Sequence, residues 1–247
     1  MNTALAEQTE TRGIAPRARI APATQRLAKV VGFLYVAQMA LAVFGDAFVR
    51  RSLIVPADAA QTAANILASE RLFRLSIVTD LIVYASVIVL FWGIYVILKP
   101  VSRDLALLGV LLRLAENAVL AMTTLMAFIA LRLLSNAEYL RAIPLEQLQA
   151  HARVFLAAYG SGLYVGFVFL GLGSAVFSYV WLRSGYIPRA LAWLGIVGSL
   201  LLTIGTLTIF VFPAVGVIGL AHMLPLGLYE VGLGFWLMFK GLREPAA

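Results

Sequence analysis

The chain has 247 residues, 62% of them hydrophobic and only 13% charged, with a net charge of +7 and a mean hydropathy of +0.94. A water-soluble domain of this size carries about 25% charged residues, so the apolar excess calls for lipid as the solvent. The basic residues gather at the ends of apolar runs instead of forming a stripe interleaved with aromatics, which argues against a nucleic-acid partner, and the absence of cysteine excludes disulfides, thiolate metal sites and cysteine nucleophiles.

In chain order, residues 1–29 read as a polar, Arg-containing cytoplasmic tail that is flexible, residues 30–240 as a membrane domain, and residues 241–247 as a second short tail. Six apolar runs are long enough to cross a bilayer, which takes about 20 residues each: Val30–Phe48, Leu75–Leu98, Leu105–Leu134, Val154–Leu182, Ala190–Phe212 and Val217–Phe239. The fold expected is all-α, a polytopic membrane helix bundle of six transmembrane helices in three hairpins. The first run lacks a small-residue cleavage site and reads as an uncleaved helix. Lys and Arg favour the side of both termini, placing these in the cytoplasm, although Arg50, Arg51, Arg71 and Arg74 make the opposite side unusually basic.

The links differ by side. Lys99–Asp104 and Arg183–Arg189 are tight turns, with Gly185 suited to a helix C-terminus and Pro188 to a first helical turn. On the other side, Asp58 offers an N-cap to an Ala-rich stretch, Ala59–Glu70, and Pro144 opens Leu145–Arg153. These read as short extracytoplasmic helices that either cap the bundle or merely connect spans. The fourth span carries Ala158, Gly162, Gly166, Ser174 and Ser178 in one row, interrupted by Leu170, a pattern that fits close helix packing within the chain better than a dimer face.

Ionisable groups inside these runs are the candidate site, because each costs roughly 2.5–3.5 kcal/mol at bilayer depth unless it is paired, wetted or used. They are Asp80 on the second span, Arg113, Glu116 and Asn117 on the third, and His222 and Glu230 on the sixth, with Gln38 and Asp46 at mid-depth and at the interface on the first. Arg113, Glu116 and Asn117 are spaced i, i+3, i+4 and share a helix face. At about 1.5 Å per residue, Arg113 and Glu230 lie roughly 12–13 Å from the same edge and are the best interhelical pair. His222 and Glu230, two turns apart, are expected on one face. No second His or Cys stands at ligand spacing, so no metal is expected, and no cofactor fingerprint occurs. Pro213, Gly216, Gly219, Pro225 and Gly227 make a broken or kinked sixth helix a further expectation.

Several segments resemble a recurring set: Ser52–Ala60, Asn65–Glu70 with Phe73-Arg74, Lys99–Arg103, Arg113-Leu114-Ala115-Glu116 and Arg183–Arg189. Together, over about Ile20 to Gly241, they resemble a large bacterial family of six- or seven-span membrane proteins known only as a domain of unknown function. The resemblance implies a bacterial inner-membrane location and assigns no catalytic residue. Three readings stay open. The polar cluster binds or passes a small lipophilic or amphiphilic molecule; or Asp80, Glu116 or Glu230 acts as a general acid on a lipid or isoprenoid-like substrate; or the cluster clamps the helices of an accessory subunit. Membrane lipids are the expected surroundings in each case, and the sequence does not fix an oligomeric state.

Overall fold

The computed structural model describes residues 20–135, 137–212 and 221–244. Residues 1–19 and 245–247 of the expected tails lie outside them, as do Pro213, Gly216, Gly219 and the start of the sixth expected span. Pro22, set in the first turn where its missing N–H costs nothing, starts α1 (Pro22–Val43) well before Val30. The rod runs on through a π-helical segment, Phe44–Arg50, and a last turn, Arg51–Leu53. Then follow α2 (Ala59–Ala68), α3 (Glu70–Leu98), α4 (Arg103–Leu134), α5 (Leu145–Ser184), α6 (Arg189–Val211) and α7 (Leu224–Phe239).

The local signals act where the physics requires. Asp58 caps α2, its carboxylate accepting from the Gln61 backbone N–H at 2.8 Å, and Gly185 ends α5 at φ +68°, a conformation that favours glycine. Pro188 stands one residue ahead of α6 instead of within its first turn. The second expected extracytoplasmic helix is not separate. With no Gly or Pro between Leu145 and Tyr159 to part it from the span, it forms the first turns of a 40-residue α5, whose Arg153 donates to the Pro56 carbonyl at 2.9 Å. Pro225 sits in the first turn of α7 and so begins that helix without kinking it.

Among the described residues five helices are long and apolar enough to cross a membrane: Pro22–Leu53, Glu70–Leu98, Arg103–Leu134, Leu145–Ser184 and Arg189–Val211. The sixth, α7, has 16 described residues, or about 24 Å, which falls short of a hydrocarbon core of about 30 Å. Bulky apolar side chains such as Phe33, Trp92, Leu111, Met122, Ile204 and Phe239 point outward, as they do where lipid replaces water. The chain is an all-α, multi-pass membrane protein.

The long helices are arranged as a ring. Each packs against its neighbours in sequence, α1 on α3, α3 on α4, α4 on α5, α5 on α6 and α6 on α7, and α7 closes back on α1. The closure is tight because Gly32 and Gly234 bring the two backbones together; a Cβ on Gly32 would lie 2.6 Å from the Gly234 carbonyl oxygen. At the same end Gln25 clasps the C-terminal segment, donating to the Leu242 carbonyl at 2.7 Å and accepting from its N–H at 2.9 Å. Two apolar cores fill the ring. One, around Ala28, Val31, Leu90, Phe91, Ile94, Trp181 and Leu233, lies at the end of the Gln25 clasp. The other, around Val49, Ile66, Phe73, Ile77, Leu131 and Leu156, lies under α2. The polar residues occupy the space between them.

Candidate functional site

Five helices present stripes at helical spacing to that central space. On α3 the stripe is Asp80, Val83, Tyr84 and Val87; on α4 it is Arg113, Glu116, Asn117 and Leu120; on α5 it is Tyr159, Leu163, Phe167 and Leu170. α7 contributes Gly227 and Glu230, with Met223 just ahead of it, and the α1 rod contributes Gln38, Met39, Ala42, Val43, Asp46, Ala47, Arg50 and Arg51. With Leu202 of α6 and Leu226 of α7 they enclose a cavity of about 460 Å³. Ligand pockets commonly span about 300–1,000 Å³, mostly apolar with a few placed polar groups. This cavity has that make-up.

Arg113 organises the deeper pole. Its Nε lies 3.0 Å from Glu116 Oε2 and its Nη2 3.7 Å from Glu230 Oε1. Nη1 donates to Ser174 Oγ at 3.2 Å and reaches the Leu170 carbonyl at 3.5 Å, while the guanidinium lies over the Phe91 ring at 4.5 Å. Arginine suits this position because its planar, permanently charged fork serves several acceptors at once. The small-residue row on α5 makes room for it: a Cβ on neighbouring Gly173 would sit 2.8 Å from Arg113 Cγ. Gly162, Gly166 and Ser174 of that row all face α4. The row is therefore packing within the chain.

Arg50 and Asp80 form the second pole; Arg50, expected beyond the end of the first span, lies inside the bundle. Arg50 is 2% exposed. Its Nη2 pairs with Asp80 Oδ2 and donates to the Ser76 carbonyl at 3.2 Å, and the guanidinium lies 4.7 Å from the Tyr159 ring centroid. Thr124 donates to the same Asp80 oxygen at 3.1 Å. The π-helical segment explains the choice of partner. In an α-helix Asp46 would face Arg50, four residues on. The wider π-turn, with its i to i+5 bonding, carries Asp46 to Arg51 instead, at 2.9 Å, and releases Arg50 for Asp80. Gly45 lies against this pair: a Cβ there would touch Arg50 Nη1 and Asp80 Oδ1 at ordinary contact distance and crowd Thr79 Oγ1 at 3.0 Å.

Tyr84 stands between the poles. Its hydroxyl lies 3.4 Å from Thr124 Oγ1, and its carbonyl accepts from Asn117 Nδ2 at 3.1 Å. The structure thus brings Asp80, Arg113, Glu116, Asn117 and Glu230 to one cavity, along with Gln38 and Asp46. His222 is elsewhere. It precedes α7 in a turn, so helical spacing does not carry it to the face of Glu230, and it lies against α6 with Nε2 3.3 Å from Thr206 Oγ1. Asp46 and Arg51 are half-exposed and mark the cavity's route outward. Toward the Gln25 end, the first apolar core closes it.

A family model described as Domain of unknown function (DUF4386) matches residues 30–241. No curated protein and no solved structure matches the chain.

Proposed function

The chain belongs to the DUF4386 family, and we propose that it is a membrane protein that binds one small amphiphilic molecule in the cavity inside its helix ring. One observation carries this reading: two buried ion clusters, on opposite flanks of Tyr84, line a single apolar-walled space of about 460 Å³. A clamp that only fixed helix register would do better with its ions packed against protein on all sides, because an adjoining void forfeits contacts. A ligand with a polar head and a short apolar body matches both parts of the lining. The apolar core at the Gln25 end favours binding over free passage across the bundle.

An intramembrane enzyme is the second reading, favoured by several carboxylates facing one cavity of this size. It needs a carboxyl free to serve a bound substrate; Asp80 is engaged by Arg50 and Thr124, and Glu116 by Arg113, which leaves Glu230 as the one carboxyl this reading could use and no second one to act with it.

Gly227 provides the test, because it lines the cavity and a Cβ added there meets no atom of the described residues within 4 Å. Gly227→Leu is expected to fold with unchanged or raised stability, since it replaces a poor helix former, worth up to about 1 kcal/mol, while its side chain occupies the space. Ten-carbon amphiphiles added to the protein in micelles of an uncharged detergent should raise the melting temperature of the wild type and leave Gly227→Leu unmoved. If none of them separates the two proteins, the cavity is not a binding site.

A further inference from the structure

The charges around the cavity do not balance. Asp46, Asp80, Glu116 and Glu230 line it against Arg50, Arg51 and Arg113. Two of the pairs are one to one, Arg51 with Asp46 and Arg50 with Asp80, but Arg113 must serve both Glu116 and Glu230. It favours Glu116 at 3.0 Å, turns a donor to Ser174 on α5 and lies against Phe91, leaving Glu230 at 3.7 Å, beyond hydrogen-bond reach. Glu230 Oε1 is buried without a hydrogen bond among the described residues, and so is Glu116 Oε2, whose contact with Arg113 is an ion pair without hydrogen-bond geometry. Gln38, nine-tenths buried and lining the same space, has an amide oxygen in the same condition. Buried acceptors without donors are costly, and a carboxylate without a full counter-charge is costlier still at this depth.

Resting on the proposed ligand-binding role of the cavity, we infer that the molecule it takes carries a protonated amine head, whose positive charge completes the pairing of Glu230 and whose N–H groups supply the missing donors. The aromatic faces of Tyr84 and Phe167 in the lining suit a cation as well, and the Leu and Val side chains receive the alkyl body.

Three probes of one chain length separate charge from shape: decylammonium, decanol and decanoate, each titrated against the melting temperature in uncharged micelles with Gly227→Leu as the blank. A charge-assisted hydrogen bond is worth about 1.5–3 kcal/mol, so decylammonium should half-saturate the wild type at a concentration at least about tenfold below the other two. Glu230→Gln balances the lining without a ligand and should bring decylammonium to within about twofold of decanol. If Glu230→Gln does not fold, Gln38→Leu replaces it and should cut the preference by about threefold, as loss of one neutral acceptor predicts. Equal binding of all three probes by the wild type would overturn the amine assignment and leave the cavity reading standing. A preference that survives in the variant would overturn the role of the substituted residue as the head-group acceptor. Absence of any response beyond the blank would overturn both.

Discussion

Arg113→Leu is expected to destabilise the protein by about 3–5 kcal/mol, the cost of removing one partner from a buried ion group. The substitution leaves Glu116 and Glu230, both largely shielded, facing each other across an apolar space with no cation between them. It also removes the donor to Ser174 Oγ that ties α4 to α5. Chemical denaturation in micelles measures the loss. The triple variant Arg113→Met, Glu116→Gln and Glu230→Gln should recover most of it, because neutral groups of similar volume often replace a buried ion cluster with little penalty. A single variant as stable as wild type would mean that the two carboxylates do not depend on this guanidinium.

Two adjacent arginines should differ sharply. Arg50→Leu strands Asp80 beneath the bundle surface and is expected to cost about 3–5 kcal/mol, with Asp80→Asn also strongly destabilising because it leaves the buried guanidinium without its counter-ion. Arg51→Leu breaks a pair whose side chains are 59% and 36% exposed, and such pairs are worth about 0–1 kcal/mol. The same unfolding assay compares the three. Equal effects at positions 50 and 51 would contradict the division of partners made by the π-helical segment.

The all-α membrane class and most of the helix boundaries were legible because apolar run length, Asp58 and Gly185 are local signals. The deeper pole was legible in outline. Arg113 and Glu116 share a face at i, i+3, and equal depth brought Glu230 into consideration. Arg50 was not legible, because a pair of arginines closing an apolar run reads as an interface anchor, and the π-turn that separates their roles leaves no mark in periodicity. Asp80 was the available hint, a lone acid at depth that required a cation from another helix. His222 failed for a related reason, since spacing arguments hold only inside a helix and α7 begins at Leu224. The closure of α7 on α1, which turns a row of hairpins into a ring with a cavity, depends on contacts between the first and last helices. No local pattern encodes those contacts, though Gly32 and Gly234 permit them.

The central claim is that the ion clusters face a space that small molecules can enter. The natural absence of cysteine makes that directly measurable, since any thiol introduced is the sole one in the chain. In protein reconstituted into bilayers, Leu120→Cys, in the cavity wall on α4, should react with a small water-soluble thiosulfonate reagent, and saturating ligand should slow it. Leu111→Cys, which faces outward on the same helix at 56% exposure, should stay unreactive in lipid. Labelling at neither position, or equal labelling at both, would contradict the account.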